Sequence, residues 1–148
     1  MNHHTKNKGD IGVALVIADL MKNGFQVCLP ISEHLPFDLI AINCDDGRLK
    51  RVQVKYISLR AGKISIPLEG TSWTNNKGMY SVKKDLSYID AFAIYCPSVD
   101  RVFYVNTIEF QGNTRAFTLR VCLPSNNQVK GVHLADAFCN PSRIFFNN

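Results

Sequence analysis

The apolar positions of this chain follow first a helical and then a strand-like period. From Ile11 to Met21 they recur at helical spacing, and Asn23-Gly24 supplies a stop, which predicts one amphipathic helix. Phe25 to Ile31 is a short strand-like run ending in the polar loop Ser32-Glu33-His34. Asp38 to Cys44 predicts the next strand and Leu49 to Leu59 a returning one, in which Val52, Val54 and Tyr56 alternate with Arg51, Gln53 and Lys55. Asp45-Asp46-Gly47-Arg48 between them reads as a tight turn. Ile64 to Pro67 reads as an edge strand, since Pro67 has no N–H to give a ladder. Gly70 to Asp85 shows no clear period and reads as a surface loop. Tyr88 to Tyr95 and Arg101 to Val105 predict a second hairpin, Ala116 to Leu123 a further strand, and Val132 to Phe138 a short helix or turn. The expected fold class is α/β, with a central mixed β-sheet flanked by helices, in a single domain covering residues 1–148.

Composition adjusts this picture only slightly. A chain of 148 residues with 46% hydrophobic content is long enough for one core and short for two. Seventeen Lys and Arg against 12 Asp and Glu leave a formal charge of +5, which suits a polyanionic partner without identifying one. Cys28, Cys44, Cys96, Cys122 and Cys139 stand singly, against a zinc ribbon and against a disulfide framework, and most lie in apolar runs that predict buried thiols. His3 and His4 lie in a polar start and His34 and His133 stand far apart, so a histidine metal cluster is not expected. No signal-peptide core and no apolar run of transmembrane length is present, and the expected location is the cytoplasm, away from membranes.

The chemistry lies in the first hairpin. Metal-assisted phosphodiester hydrolysis needs hard oxygen ligands and a cation that orients water or offsets developing negative charge. Asp38, Gln53 and Lys55 are the right types, and Gln53 and Lys55, two apart on a strand, share a face. A two-residue turn at Asp46-Gly47 would pair Asp45 with Arg48 and set Asp38 opposite Lys55 and diagonal to Gln53. Spacing alone is met equally well by an amphipathic hairpin whose Asp38 and Lys55 form an exposed ion pair worth under about 1 kcal/mol.

Pro36-Phe37-Asp38 followed by Gln53-Val54-Lys55 resembles the PD…(D/E)xK signature of restriction-type nucleases, with glutamine in the central acidic position. The run from Lys8 through Leu39, with Leu29-Pro30-Ile31-Ser32-Glu33, and the later Asn126-Asn127-Gln128-Val129-Lys130-Gly131 resemble more closely the small nucleases of this fold associated with bacterial and cyanobacterial group I introns. That resemblance implies a restriction-endonuclease-like fold and a homing endonuclease that makes double-strand breaks in a long DNA target with Mg²⁺. By it, Asp38 and the Gln53 amide oxygen bind metal and Lys55 assists the nucleophile. Relatives usually add an acid on the first helix, but here the residue after Gly12 is Val13. Asp10 is the nearest carboxylate, a possible metal ligand equally suited to capping the helix, and Glu33 is a weaker candidate. A Holliday-junction resolvase or repair nuclease of the same fold is an alternative. So is a catalytically inactive DNA-binding module, which Gln53 and Val13 would favour.

Double-stranded DNA is the partner so implied. Lys6, Lys8, Arg60, Lys63, Lys77, Lys83 and Lys84 are candidates for phosphate contacts, and Arg115, Arg120, Asn126, Asn127 and Gln128 for base edges, although Asn126-Asn127 is also a good turn. Trp73 stands apart from the other aromatics in a polar segment. A module this small covers only about 600–1,000 Å² of DNA, so a homodimer or homotetramer is expected.

Overall fold

The computed structural model describes residues 4–110, 112, 115–126 and 128–146. Its helix α1, His4–Lys22, starts well before the apolar stripe that predicted it, because the polar segment from His4 to Asp10 continues the same turns into solvent. Val16 and Leu20 are fully buried, and Val13 and Ile17 pack beside them. Asn23 closes the helix, its side chain donating to the Asp19 carbonyl (2.8 Å), and Gly24 takes the positive φ of 85° that turns the chain away.

Five strands form the central mixed sheet: β1 Phe25–Cys28, β2 Leu39–Asn43, β3 Leu49–Tyr56, β7 Ala91–Cys96 and β8 Arg101–Asn106, in that spatial order. All neighbours are antiparallel except β3 and β7, which run parallel. Alternation sorts the side chains. Val52, Val54, Ala91, Ala93 and Tyr104 face α1, while Gln53 and Lys55 share the opposite face with Phe92, Ile94 and Phe103. On that second face a three-stranded sheet, β4 Lys63–Pro67, β9 Ala116–Arg120 and β10 His133–Leu134 in the order β10-β9-β4, contributes Ile64, Ile66, Phe117 and Leu119 to a common core. Pro67 is on an edge strand, as its missing N–H requires.

Two expectations give way here. The segment Gly70 to Asp85 is not a loop but a two-stranded ribbon, β5 Glu69–Thr74 and β6 Gly78–Lys83. Its alternating Thr, Ser, Trp, Tyr and Val are strand formers without a buried face, so no hydrophobic period betrays them. The cysteines are all free, yet only Cys96 is buried and Cys139 half-buried, while Cys28, Cys44 and Cys122 lie at strand ends or turns and are exposed. Among the described residues no helix is long and apolar enough to cross a membrane.

The parallel register is pinned by Arg51 and Asp90. Asp90 accepts from the Arg51 backbone N–H (2.7 Å), Nε (3.0 Å) and Nη2 (2.8 Å). It returns a backbone bond to the Arg51 carbonyl (2.9 Å). Arg51's hydrogen bonds, with a smaller attraction from its charge, hold the Asp90 carboxyl below the usual carboxylate range against the opposing effect of burial. Asp90→Asn is therefore expected to cost about 1–2 kcal/mol at neutral pH, a value reduced for the partial exposure of both groups. A carboxyl with a lowered folded pKa stabilises above its unfolded value near 3.9 and loses that contribution as pH falls through the folded value. The gap between wild type and variant in thermal melts should thus close in acid; a gap that persists below both values would assign the loss to packing instead.

Candidate active site

β2 and β3 meet through a four-residue loop rather than a two-residue turn. Asn43 pairs with Arg48, the Asn43 Oδ1 accepts from Asp45 N (3.0 Å), and Asp46 accepts from Arg48 N (3.0 Å) and Nε (2.7 Å). These side-chain bonds outcompete the compact Asp-Gly turn. Leu39 consequently faces Val52, and the expected placement of Asp38 opposite Lys55 is corrected: Asp38 precedes Leu39 at the level of Gln53, with Lys55 diagonal.

Asp38 finishes the pairing of β2 with β3. Its backbone N–H donates to the Val52 carbonyl (2.9 Å), and its Oδ2 accepts from the Val54 N–H (2.6 Å), so the carboxylate takes over where β2 stops. Oδ1 has no hydrogen-bond partner among the described residues, and the residue is exposed. Gln53, half-buried, donates from Nε2 to the Pro36 carbonyl (3.1 Å), which leaves its amide oxygen free. The loop before β2 thus fixes the amide.

Lys55 is half-buried beside Ile94, its neighbour across the parallel pair. Burial, and then the charge of Lys84, push its pKa down, while Asp38 pulls it partly back up. Asp38 and Lys84 therefore both act on the Lys55 ammonium, a convergence that sequence spacing did not reveal for Lys84. Lys84 follows β6 directly, and its Nζ donates to the Pro67 carbonyl (3.2 Å). The base of the ribbon accordingly stands near Lys55.

The donor set suits a small divalent cation. Mg²⁺ is commonly held by one or two protein oxygens and completes its shell with water and phosphate oxygens, and Asp38 Oδ1 with the Gln53 amide oxygen offers such a pair. No group of three His, Cys, Asp or Glu residues able to hold a metal occurs among the described residues. Val13 packs into the core on α1, where its methyl groups do the work of burial. Asp10 lies within α1 and not at its start, so the capping role expected of it is overturned. It is exposed, as is Glu33.

The expected DNA contacts fall into separate groups. Lys8, Arg60 and Lys63 line one open cleft of about 640 Å³ together with Tyr56, Ser58, Ser65 and Thr118. Arg120 pairs with Lys63 across β9 and β4. Lys77 and Lys83 belong to the ribbon, with Lys77 Nζ 5.7 Å from the Tyr80 ring centroid. Lys6 is exposed on α1, and Arg115 stands just before β9, its carbonyl accepting from Leu68 N. Asn126 accepts from Gln128 N (3.3 Å), in keeping with a turn, while His3 and Asn127 lie outside the described residues.

Comparison with known proteins speaks to the family and the fold. A family profile described as PD-(D/E)XK endonuclease matches residues 3–141. No curated protein is significantly similar in sequence. Among solved structures, the bacterial homing endonuclease I-Ssp6803I superposes with a TM-score of 0.67 at 22% identity, over 86% of this chain and 85% of that one. The Holliday junction resolvase Hjc of the archaeon Archaeoglobus fulgidus gives 0.47 at 13% identity, over 76% of this chain and 84% of that one.

Proposed function

Since the chain belongs to the PD-(D/E)XK endonuclease family, we propose that it is a divalent-metal-dependent DNA endonuclease acting at Asp38, Gln53 and Lys55, and that its role is that of a homing endonuclease. The observation that carries this reading is the convergence on one strand edge of a free carboxylate oxygen, a fixed amide oxygen and a half-buried ammonium. When bound, Mg²⁺ would supply Lewis-acid polarisation of the phosphate and a more acidic water. Asp38 and Gln53 would hold it. Lys55 orients the attacking water and offsets the negative charge that grows on the phosphate, in a position where burial strengthens the field it exerts. The homing role, expression from a group I intron and assembly as a homodimer or homotetramer draw support from the sequence resemblance and from the size of the module. Two active sites are needed to cut both strands of a duplex.

The test is metal-dependent cleavage of supercoiled plasmid carrying candidate sites, set beside a four-way junction of unrelated sequence. Cleavage confined to one long linear site supports the homing reading, and preference for the junction would replace it with resolution. Gln53 and Val13 favour a second reading, a module that binds DNA without cutting it, and binding with no metal-dependent nicking would establish that. Within the active reading, Gln53→Ala should raise the Mg²⁺ concentration for half-maximal cleavage, because a hard cation loses an oxygen partner. Gln53→Glu should hold metal at least as tightly, though its charge also repels the phosphate. Unchanged metal dependence in Gln53→Ala would remove Gln53 from the site.

A further inference from the structure

Arg60 and Lys63 form an unusual turn. Each donates its backbone N–H to the other's carbonyl (3.0 Å both ways), and the two residues between them, Ala61 and Gly62, have φ of 49° and 70°. This is a two-residue hairpin loop with positive φ at both central positions. Gly62 adopts that backbone freely, whereas Ala61 does so against the clash of its Cβ. The strained turn sets two cations directly opposite each other, and the register continues the series, since Lys63 faces Arg120 on β9. Like charges directly opposite on one face repel. Arg60, Lys63 and Arg120 take part in no ion pair among the described residues.

Lys8 adds a fourth cation. It comes from α1 to line the same cleft as Arg60 and Lys63, its Nζ 5.9 Å from the Tyr56 ring centroid. The remaining lining includes the hydroxyl-bearing Ser58, Ser65 and Thr118, and no carboxylate. A row of unneutralised cations set by a strained turn, with hydroxyl donors in the same cleft, suits an anion with regularly repeated charge.

We propose that Lys8, Arg60, Lys63 and Arg120 form a binding site for the phosphate backbone of a nucleic-acid strand, distinct from the catalytic edge and gripping the strand beside the cut. The inference rests on the endonuclease reading. Adjacent strands stand about 4.8 Å apart, so Arg60, Lys63 and Arg120 span roughly 10 Å, on the scale of a backbone with one charge about every 3.4 Å along each strand. β4 links the two places. It begins at Lys63 in the cleft and ends at Pro67, whose carbonyl holds Lys84 next to Lys55, a run of about 13 Å. One strand can therefore reach both, with about four nucleotides or fewer between them.

The trade of stability for binding gives a signature that a purely structural role would not produce. Lys63→Ser removes the central charge of the row. In low salt its thermal midpoint should rise by about 1–3 °C as the repulsion is relieved, with the gain vanishing in high salt. Binding of a mixed-sequence duplex, followed by fluorescence anisotropy in KCl without divalent metal, should weaken on the order of tenfold. The plot of log K against log salt should become shallower by about 0.9 for each phosphate that is no longer neutralised, and more so in Arg60→Ser/Lys63→Ser. An unchanged slope in the double variant would overturn the site while leaving the endonuclease reading intact, provided the wild type cuts plasmid with Mg²⁺. A wild type that neither binds duplex nor cuts it would overturn both.

Discussion

Replacing Asp38 by Asn should lower the cleavage rate by at least roughly 100-fold while leaving the folded protein as stable as before. The two halves of that result come from the two oxygens of one side chain. Oδ2 accepts from the Val54 N–H and closes the pairing of β2 with β3, a task that an asparagine carbonyl performs equally well. Oδ1 is the part that Asn cannot supply as an anion, and among Asp38, Gln53 and Lys55 the only negative charge is that of Asp38. With its one carbonyl oxygen taken by the Val54 N–H, the asparagine offers an NH2 in place of Oδ1, and a cation is left the neutral Gln53 oxygen alone, a poor hold for a hard divalent ion. Single-turnover cleavage at saturating DNA, with thermal melts alongside, reads both halves. A variant that cuts at the wild-type rate would move the active site away from this edge, and one that fails to fold would make the carboxylate structural.

Lys55→Met should be the second most damaging change to activity, again on the order of 100-fold, and it should not destabilise the protein. Methionine keeps an unbranched stem of similar reach beside Ile94 and loses only the ammonium. Burial, and after it Lys84, hold the Lys55 pKa below that of a free lysine. A lysine with a lowered folded pKa carries its charge at a cost at neutral pH, a cost relieved only as pH rises through the folded value. Removing the charge should therefore leave the thermal midpoint level or raise it slightly. Lys55→Arg keeps the charge but spreads it over a planar fork that the half-buried position does not match, so it should restore little activity. A fall in stability as large as the fall in rate would indicate that Lys55 mainly supports the fold.

What the sequence revealed follows from which interactions are local. Gln53 and Lys55 were placed correctly on one face because strand alternation is independent of any partner, and Val52 and Val54 are buried as that alternation demands. The position of Asp38 was displaced because register depends on the turn. Asn43, Asp45 and Asp46 bond to one another and to Arg48 in a way that the apolar pattern does not encode. The ribbon escaped notice for the opposite reason. Trp73 and Met79 face each other across it at 64% and 78% exposure, so its largest apolar side chains pack on no core and leave no periodic trace. The charge of Lys84 acts on Lys55 only because the chain returns there after the whole ribbon, an approach that no local spacing predicts.

The parallel pairing of β3 with β7 also orders events during folding. β2 and β3 are neighbours in the chain, so closing their short loop brings Asp38 to Gln53 and Val54 at small entropic cost. β7 arrives only after the chain has left at Tyr56, built β4, β5 and β6, and come back at Ala91. Such non-local pairings form slowly, since loop closure precedes the contacts that repay it. Asp38, Gln53 and Lys55 are thus expected to meet before β7 docks, and Phe92 and Ile94 then complete the apolar surroundings of Lys55.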